Sequence, residues 1–174
     1  MRANRAMVTA AMVVVGTLMG GRALAADALP ATAATVMTRR VVVSIPDRKL
    51  AVIENNKVVQ VFAVAVGAPA TPSPVGTFTV VNRVANPTYY HPGKVVAPGP
   101  RNPLGTRWIG LSEKGYGIHG TDNQASVGFA RSQGCIRLRT ADIERLFERL
   151  RPGDVVELHA ERTPEIEQLF ASLD

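Results

Sequence analysis

From Arg40 onward the chain alternates short runs of β-branched residues with turn formers, the pattern of a mostly β domain. Residues 41–45 and 50–54 predict two strands, and Asn55-Asn56 predicts a hairpin turn into a third strand over 58–66. A loop with Pro69, Pro72, Pro74 and Gly76 leads to a strand over 77–84. Residues 85–106 hold prolines at 87, 92, 98, 100 and 103 with little periodicity, so they read as one long loop. Loops of that length in a compact domain are usually functional or disordered. Asn86, Tyr89, Tyr90 and His91 favour the wall or lid of a site. Residues 108–111 and 116–119 predict two more strands, which puts His119 at a strand end.

The period then changes. Ile143, Leu146, Phe147 and Leu150 recur at helical spacing, with Thr140 placed to cap, Asp142 and Glu144 in the first turn, and Pro152-Gly153 as the stop. Residues 155–158 read as a last strand. Thr163-Pro164 opens a second short amphipathic helix with Ile166, Leu169, Phe170 and Leu173 on its apolar face, more simply docked on the domain than offered to a partner. No internal repeat and no second domain is apparent.

Before the strands the pattern is different. Arg2 and Arg5 precede an apolar run over 6–19, followed by Arg22-Ala23-Leu24-Ala25-Ala26, which reads as a secretory signal over residues 1–25. The run is shorter than the roughly 20 apolar residues a bilayer span needs, so a cleaved signal is favoured over an anchor. Residues 26–39, rich in alanine and threonine, read as a flexible tether, residues 40–160 as the domain, and 161–174 as the C-terminal helix. The chain carries a net charge of +6, and cleavage would remove three arginines and no acid, halving it. No basic run interleaved with aromatics suggests a nucleic-acid groove, so nucleic acid is not expected as a partner. Anionic cell-surface polymers fit an exported, mildly basic protein better.

Export sharpens the meaning of the single cysteine, Cys135, since it has no intramolecular partner in an oxidising compartment. Inert packing is the plain alternative. Against it stand Gly134 beside the thiol and Arg131 and Arg137 around it, which would favour a thiolate. His119 is sixteen positions upstream, so thiol and imidazole read as a nucleophile and its base. Backbone N–H groups around Gly134 and Cys135 are candidates for an oxyanion hole. No pair among His91, His119, Cys135 and His159 falls within five residues, so no metal site is expected. With no resolving cysteine, a redox role is disfavoured.

The segments His119-Gly120-Thr121 and Ser132-Gln133-Gly134-Cys135-Ile136-Arg137 resemble the signature of the L,D-transpeptidase (YkuD-like) catalytic domain. Pro74-Val75-Gly76-Thr77-Phe78, Asn86-Pro87-Thr88-Tyr89-Tyr90 and Asn102-Pro103-Leu104-Gly105-Thr106-Arg107 resemble that family's other recurring blocks, in its order. The resemblance implies a compact β-sandwich or barrel-like domain with one or two short packed helices. It implies a bacterial enzyme of the periplasm or cell wall, acting on peptidoglycan stem peptides without a cofactor. Cys135 would attack the third residue of a tetrapeptide stem, expel D-alanine, and pass the acyl group to another stem or to a lipoprotein lysine. His119 would be oriented by the Gly120 carbonyl, and acylation of Cys135 by carbapenems is expected.

Several roles stay open. Arg137 binds a stem carboxylate or pairs with Asp122 or Asp142. Tyr90 and Thr121 are candidate substrate contacts, and Ser132 is expected to hydrogen-bond within the loop. Trp108 is a candidate groove contact weighted toward the core, His91 is a candidate groove contact, and His159 reads as surface. Gln133 stands where the family often has histidine. A hydrolase on the same site and a non-catalytic wall-binding module are the alternatives.

Overall fold

A computed structural model describes residues 38–171. The expected signal, residues 26–37 of the tether, and Leu173 lie outside the described residues. Chain order begins with β1 (Arg39–Ser44), β2 (Lys49–Glu54) and β3 (Lys57–Ala63), an antiparallel meander. The β2–β3 turn has both Asn55 (φ 50°) and Asn56 (φ 62°) in the left-handed region, as a two-residue hairpin requires. Arg39, assigned to the tether, belongs to β1, where its Nε donates to Glu54 Oε1 at 3.0 Å.

The strand expected over 58–66 is broken. Val64 N–H donates to Arg48 O, and Ala65 N–H to Arg137 O, which pulls the chain away from β2 into a separate short strand, β4 (Val66–Gly67). After β5 (Gly76–Ala85), the expected long loop contains a second hairpin, β6 (Tyr89–His91) and β7 (Lys94–Val96). Its turn is Pro92-Gly93, with Gly93 at φ 75°, a conformation that suits glycine after proline. Three-residue strands are too short to show periodicity.

Next come β8 (Arg107–Leu111), β9 (Gly117–His119), β10 (Ala130–Ser132), β11 (Ile136–Arg137) and β12 (Val155–His159). Eight strands form one sheet in the order β11-β9-β8-β5-β12-β1-β2-β3, while β4 pairs with β10. The sheet curls, so that Val41, Val43 and Leu50 from one end share a core with Ile109, Ile118 and Ile136 from the other. Helix α1 (Thr140–Arg149) plugs that core with Ile143 and Leu146, and Leu150 just beyond it is buried too. Each such side chain contributes about 1.5–3 kcal/mol by leaving water. Thr140 does not cap α1; it is the first helical residue, and its N–H donates to Gln124 Oε1 at 3.1 Å. Helix α2 (Pro164–Ala171) lays Ile166 and Phe170 on the opposite face of β1 and β2, against Val42, Ala51 and Ile53.

Candidate active site

Strand register builds the site. Trp108 of β8 lies opposite His119 of β9, and His119 lies opposite Arg137 of β11. Directly paired residues project from the same face, so these three side chains form one row across the sheet. Cys135 stands two positions before Arg137, which brings the thiol to the same side. All four line a groove of about 690 Å³, with Tyr89, Tyr90 and Leu104 on its walls and Gln133 and Gly115 near the thiol.

His119 is almost fully buried. Its Nδ1 lies 2.5 Å from Gly120 O. A carbonyl only accepts, so Nδ1 carries the proton and Nε2 presents a lone pair. Burial pushes the imidazole down to about 4, with Arg137 adding to the fall and the Gly120 carbonyl opposing it. The resting imidazole is therefore a neutral base at neutral pH. The Trp108 ring stacks on it, with centroids 5.7 Å apart and planes 25° from parallel.

Cys135 is half-buried and its S–H points at Gly115 O, 3.7 Å away. Burial pushes the thiol up, although the Gly117 amide and the Arg137 cation pull it down. The arginines were expected to favour a thiolate. Here desolvation outweighs them, and Arg131 is engaged elsewhere, its guanidinium over the Phe129 ring.

The loop that carries Cys135 is held by one buried hydroxyl. Ser132 Oγ donates to Cys135 O at 2.5 Å and accepts from Gly134 N–H at 3.0 Å. That second bond engages the Gly134 N–H, one of the two expected oxyanion donors. The Cys135 N–H makes no hydrogen bond among the described residues and remains the donor of that pair. Gly134 itself has φ 105°, and a Cβ there would come within 2.6 Å of Tyr116 Cε1, so both backbone and packing demand glycine.

Arg137 has no carboxylate within ion-pair distance among the described residues. Its Nη1 reaches only Arg131 O at 3.5 Å, its Nε is buried without a partner, and the alternative pairing with Asp122 or Asp142 does not form. Thr121 is not in the groove lining. Its buried Oγ1 accepts from Asn123 N–H at 3.0 Å and so fixes the turn after β9. His91 is exposed outside the lining, next to Pro92 O. His159 is half-buried beside Glu157 rather than free on the surface. Tyr90 lines the groove and is 74% exposed.

The sequence pattern undervalued Trp108 and missed two contributors. Trp108, a candidate groove contact weighted toward core, lines the groove beside the bare backbone of Gly110 and Gly117, where an added Cβ would come within 3.0 Å and 2.6 Å of its ring. Asn102 is fully buried, and its Nδ2 lies within hydrogen-bond distance of Pro87 O, Val96 O and Ala97 O while its Oδ1 accepts from Leu104 N–H. Tyr116 packs on Gly134. The signal for Trp108 was present as Gly110 and Gly117; Asn102 was marked only as the first residue of the Asn102–Arg107 block, which gave no sign of its buried role. A separate hollow of about 260 Å³ near α2, lined by Asp47, Lys49, Arg162 and Glu167, contains neither thiol nor imidazole.

The fold is that of solved L,D-transpeptidase catalytic domains. An L,D-transpeptidase from Mycobacterium smegmatis superposes with a TM-score of 0.61 at 20% identity, covering 71% of this chain and 59% of that one. The LD transpeptidase LdtMt1 in complex with imipenem gives 0.60 at 20% identity, over 71% and 59%. The family model described as YkuD, L,D-transpeptidase catalytic domain, matches residues 38–158, and the chain belongs to that family. Among curated relatives, "Putative L,D-transpeptidase YqjB" of Bacillus subtilis is 42% identical over 118 residues, 65% of this chain and 66% of that protein. "Putative L,D-transpeptidase YkuD" of Bacillus subtilis is 39% identical over 61% of this chain and 57% of that protein. The chain thus spans just under two thirds of one relative's length and 57% of the other's.

Proposed function

We propose that the protein is an exported cysteine transpeptidase of peptidoglycan, working in the periplasm or cell wall. The observation that most supports this reading is the Trp108–His119–Arg137 row with Cys135 beside it, in a groove of about 690 Å³. Cys135 Sγ attacks the carbonyl carbon of the third residue of a tetrapeptide stem while its proton passes to His119 Nε2. The Cys135 N–H faces the developing oxyanion, a contact whose loss typically costs about 2.7–4 kcal/mol. Collapse breaks the bond to D-alanine, whose nitrogen takes the proton from His119, leaving a thioester. An acceptor amine then attacks the thioester, gives its proton through His119, and the thiol is restored.

Neutral thiol and neutral imidazole define the resting state, so proton transfer accompanies attack rather than preceding it. Arg137 is the only charged lining residue of the groove among those described, and its guanidinium suits a stem carboxylate. Tyr90 and the β6–β7 hairpin form the wall over the peptide, and Gln133 stands at the rim. The acceptor is a second stem, giving a link between two third residues, or a lipoprotein lysine, giving attachment to the wall.

The test is product analysis with tetrapeptide muropeptides, with and without an added amine acceptor, for wild type and Cys135→Ala. D-alanine release and cross-linked product from wild type alone are expected. Release with tripeptide as the sole product in the presence of acceptor would replace the transferase with a carboxypeptidase. Binding without release would replace it with a wall-binding module.

A further inference from the structure

The Trp108 indole has more polar and steric anchoring than a groove-wall aromatic needs. Its Nε1–H donates to Asn82 Oδ1 at 3.1 Å, from the neighbouring strand β5. Asn82 pairs with Gly110 and Val84 with Trp108, so the asparagine lies on the same face of the sheet as the indole. Gly110 and Gly117 are cross-strand partners; a Cβ at Gly117 would collide with the ring, 2.6 Å from Cη2, and one at Gly110 would lie 2.5 Å from Asn82 Oδ1 and 3.0 Å from the indole Nε1. The indole is thus pinned at both ends over a glycine trough, with the His119 ring stacked on it at 5.7 Å.

We infer that Trp108, fixed by Asn82 and the Gly110–Gly117 pair, is a positioning residue that orients His119 and stabilises its imidazolium during proton transfer. The inference rests on the proposed reaction for its catalytic part. When the thiol proton moves from Cys135 Sγ to His119 Nε2, a cation forms inside a buried site. The charged and titratable groups around it are Arg137 from β11, which repels it, Cys135 from the loop before β11, and Tyr89 and Tyr90 across the groove. The thiolate produced in the same step attracts it, but that charge is transferred to the substrate as the bond forms. The Gly120 carbonyl on Nδ1 and the indole face are then the remaining stabilising partners, and cations within about 6 Å of a tryptophan ring are attracted to it. The ring plane also blocks rotation of the imidazole away from the Gly120 carbonyl.

The chain contains one tryptophan, so tryptophan emission comes from this ring alone. An imidazolium quenches a stacked indole more than a neutral imidazole does. Emission of the full chain, followed by pH titration at constant far-UV circular dichroism, is expected to show a quenching step that is absent in His119→Gln. Emission that does not change with pH, or that changes identically in His119→Gln, would overturn the contact. For the catalytic part, Trp108→Leu is expected to lower kcat about tenfold with KM nearly unchanged, and to move the acid limb of kcat/KM to lower pH. Trp108→Phe should recover most of both. A limb that moves up would mean that the indole only excludes water, and would overturn the imidazolium role. If wild type turns over no stem peptide, the proposed function fails while the fluorescence titration still decides the contact.

Discussion

Replacing Asn102 by alanine should loosen the groove wall and the histidine together. The amide presents two hydrogens to Pro87 O (2.8 Å), Val96 O (3.1 Å) and Ala97 O (3.2 Å), and its oxygen takes the Leu104 N–H at 2.8 Å. Three bonds' worth of donor and acceptor are lost, each contributing a net ~0.5–1.5 kcal/mol. Pro87 is buried and its carbonyl stays dry, whereas Val96 and Ala97 are more open and water can replace the lost donor. The loss should therefore be about 2–3 kcal/mol rather than the sum of full desolvation costs. The same loop touches the chain just after β9: a Cβ at Gly105 would lie 2.8 Å from Gly120 C, and Gly120 O holds His119. Urea unfolding should show a midpoint lower by about 1–2 M for a domain of this size. The Leu104 amide should exchange faster with solvent, and KM for stem peptide should rise. Asn102→Asp keeps an acceptor for Leu104 but turns a carboxylate toward three carbonyls, so it should be no milder. A loss below about 0.5 kcal/mol in Asn102→Ala with unchanged Leu104 exchange would refute the hub.

Alkylation of Cys135 by iodoacetamide should rise with pH to a midpoint above that of free cysteine, and Arg137→Ala should raise it further by removing a cation; a midpoint below free cysteine would contradict the desolvated thiol. His119, depressed to about 4 from 6.5, binds fewer protons folded than unfolded between those values. Its contribution to stability is present above about 6.5 and is lost as pH falls through about 4, by up to about 3 kcal/mol. Chemical denaturation at pH 7 and pH 4.5 should show a smaller difference in His119→Gln than in wild type, and equal differences would contradict burial of the neutral imidazole.

Sequence pattern reached the strands that alternate or hairpin strongly. Asn55-Asn56 fixed the first turn because two left-handed residues there leave few other readings, and the spacing of Ile143, Leu146 and Leu150 marked α1 with its buried face. Cys135 and His119 were legible as chemistry, and register explains why they meet: β9 and β11 are parallel neighbours although sixteen residues separate the pair. What stayed hidden depended on contacts distant in sequence. The β6–β7 hairpin is anchored by Asn102 as well as by the pairing of its own short strands. Trp108 faces the groove because β8 lies between β5 and β9, and a lone aromatic in a strand does not disclose its side. Thr121 looked like a groove contact from its place beside His119-Gly120, but its hydroxyl turns back to Asn123. The thiol's shift was misjudged because neighbouring arginines are visible in sequence and burial is not.

Intact-protein mass spectrometry after mixing with a tetrapeptide stem tests the account most directly. Wild type should gain the mass of the stem less D-alanine, on the peptide containing Cys135, with free D-alanine in equal amount and no adduct on Cys135→Ala. Folded protein with a free thiol that gains no mass and releases no D-alanine would contradict the thioester and, with it, the transpeptidase reading.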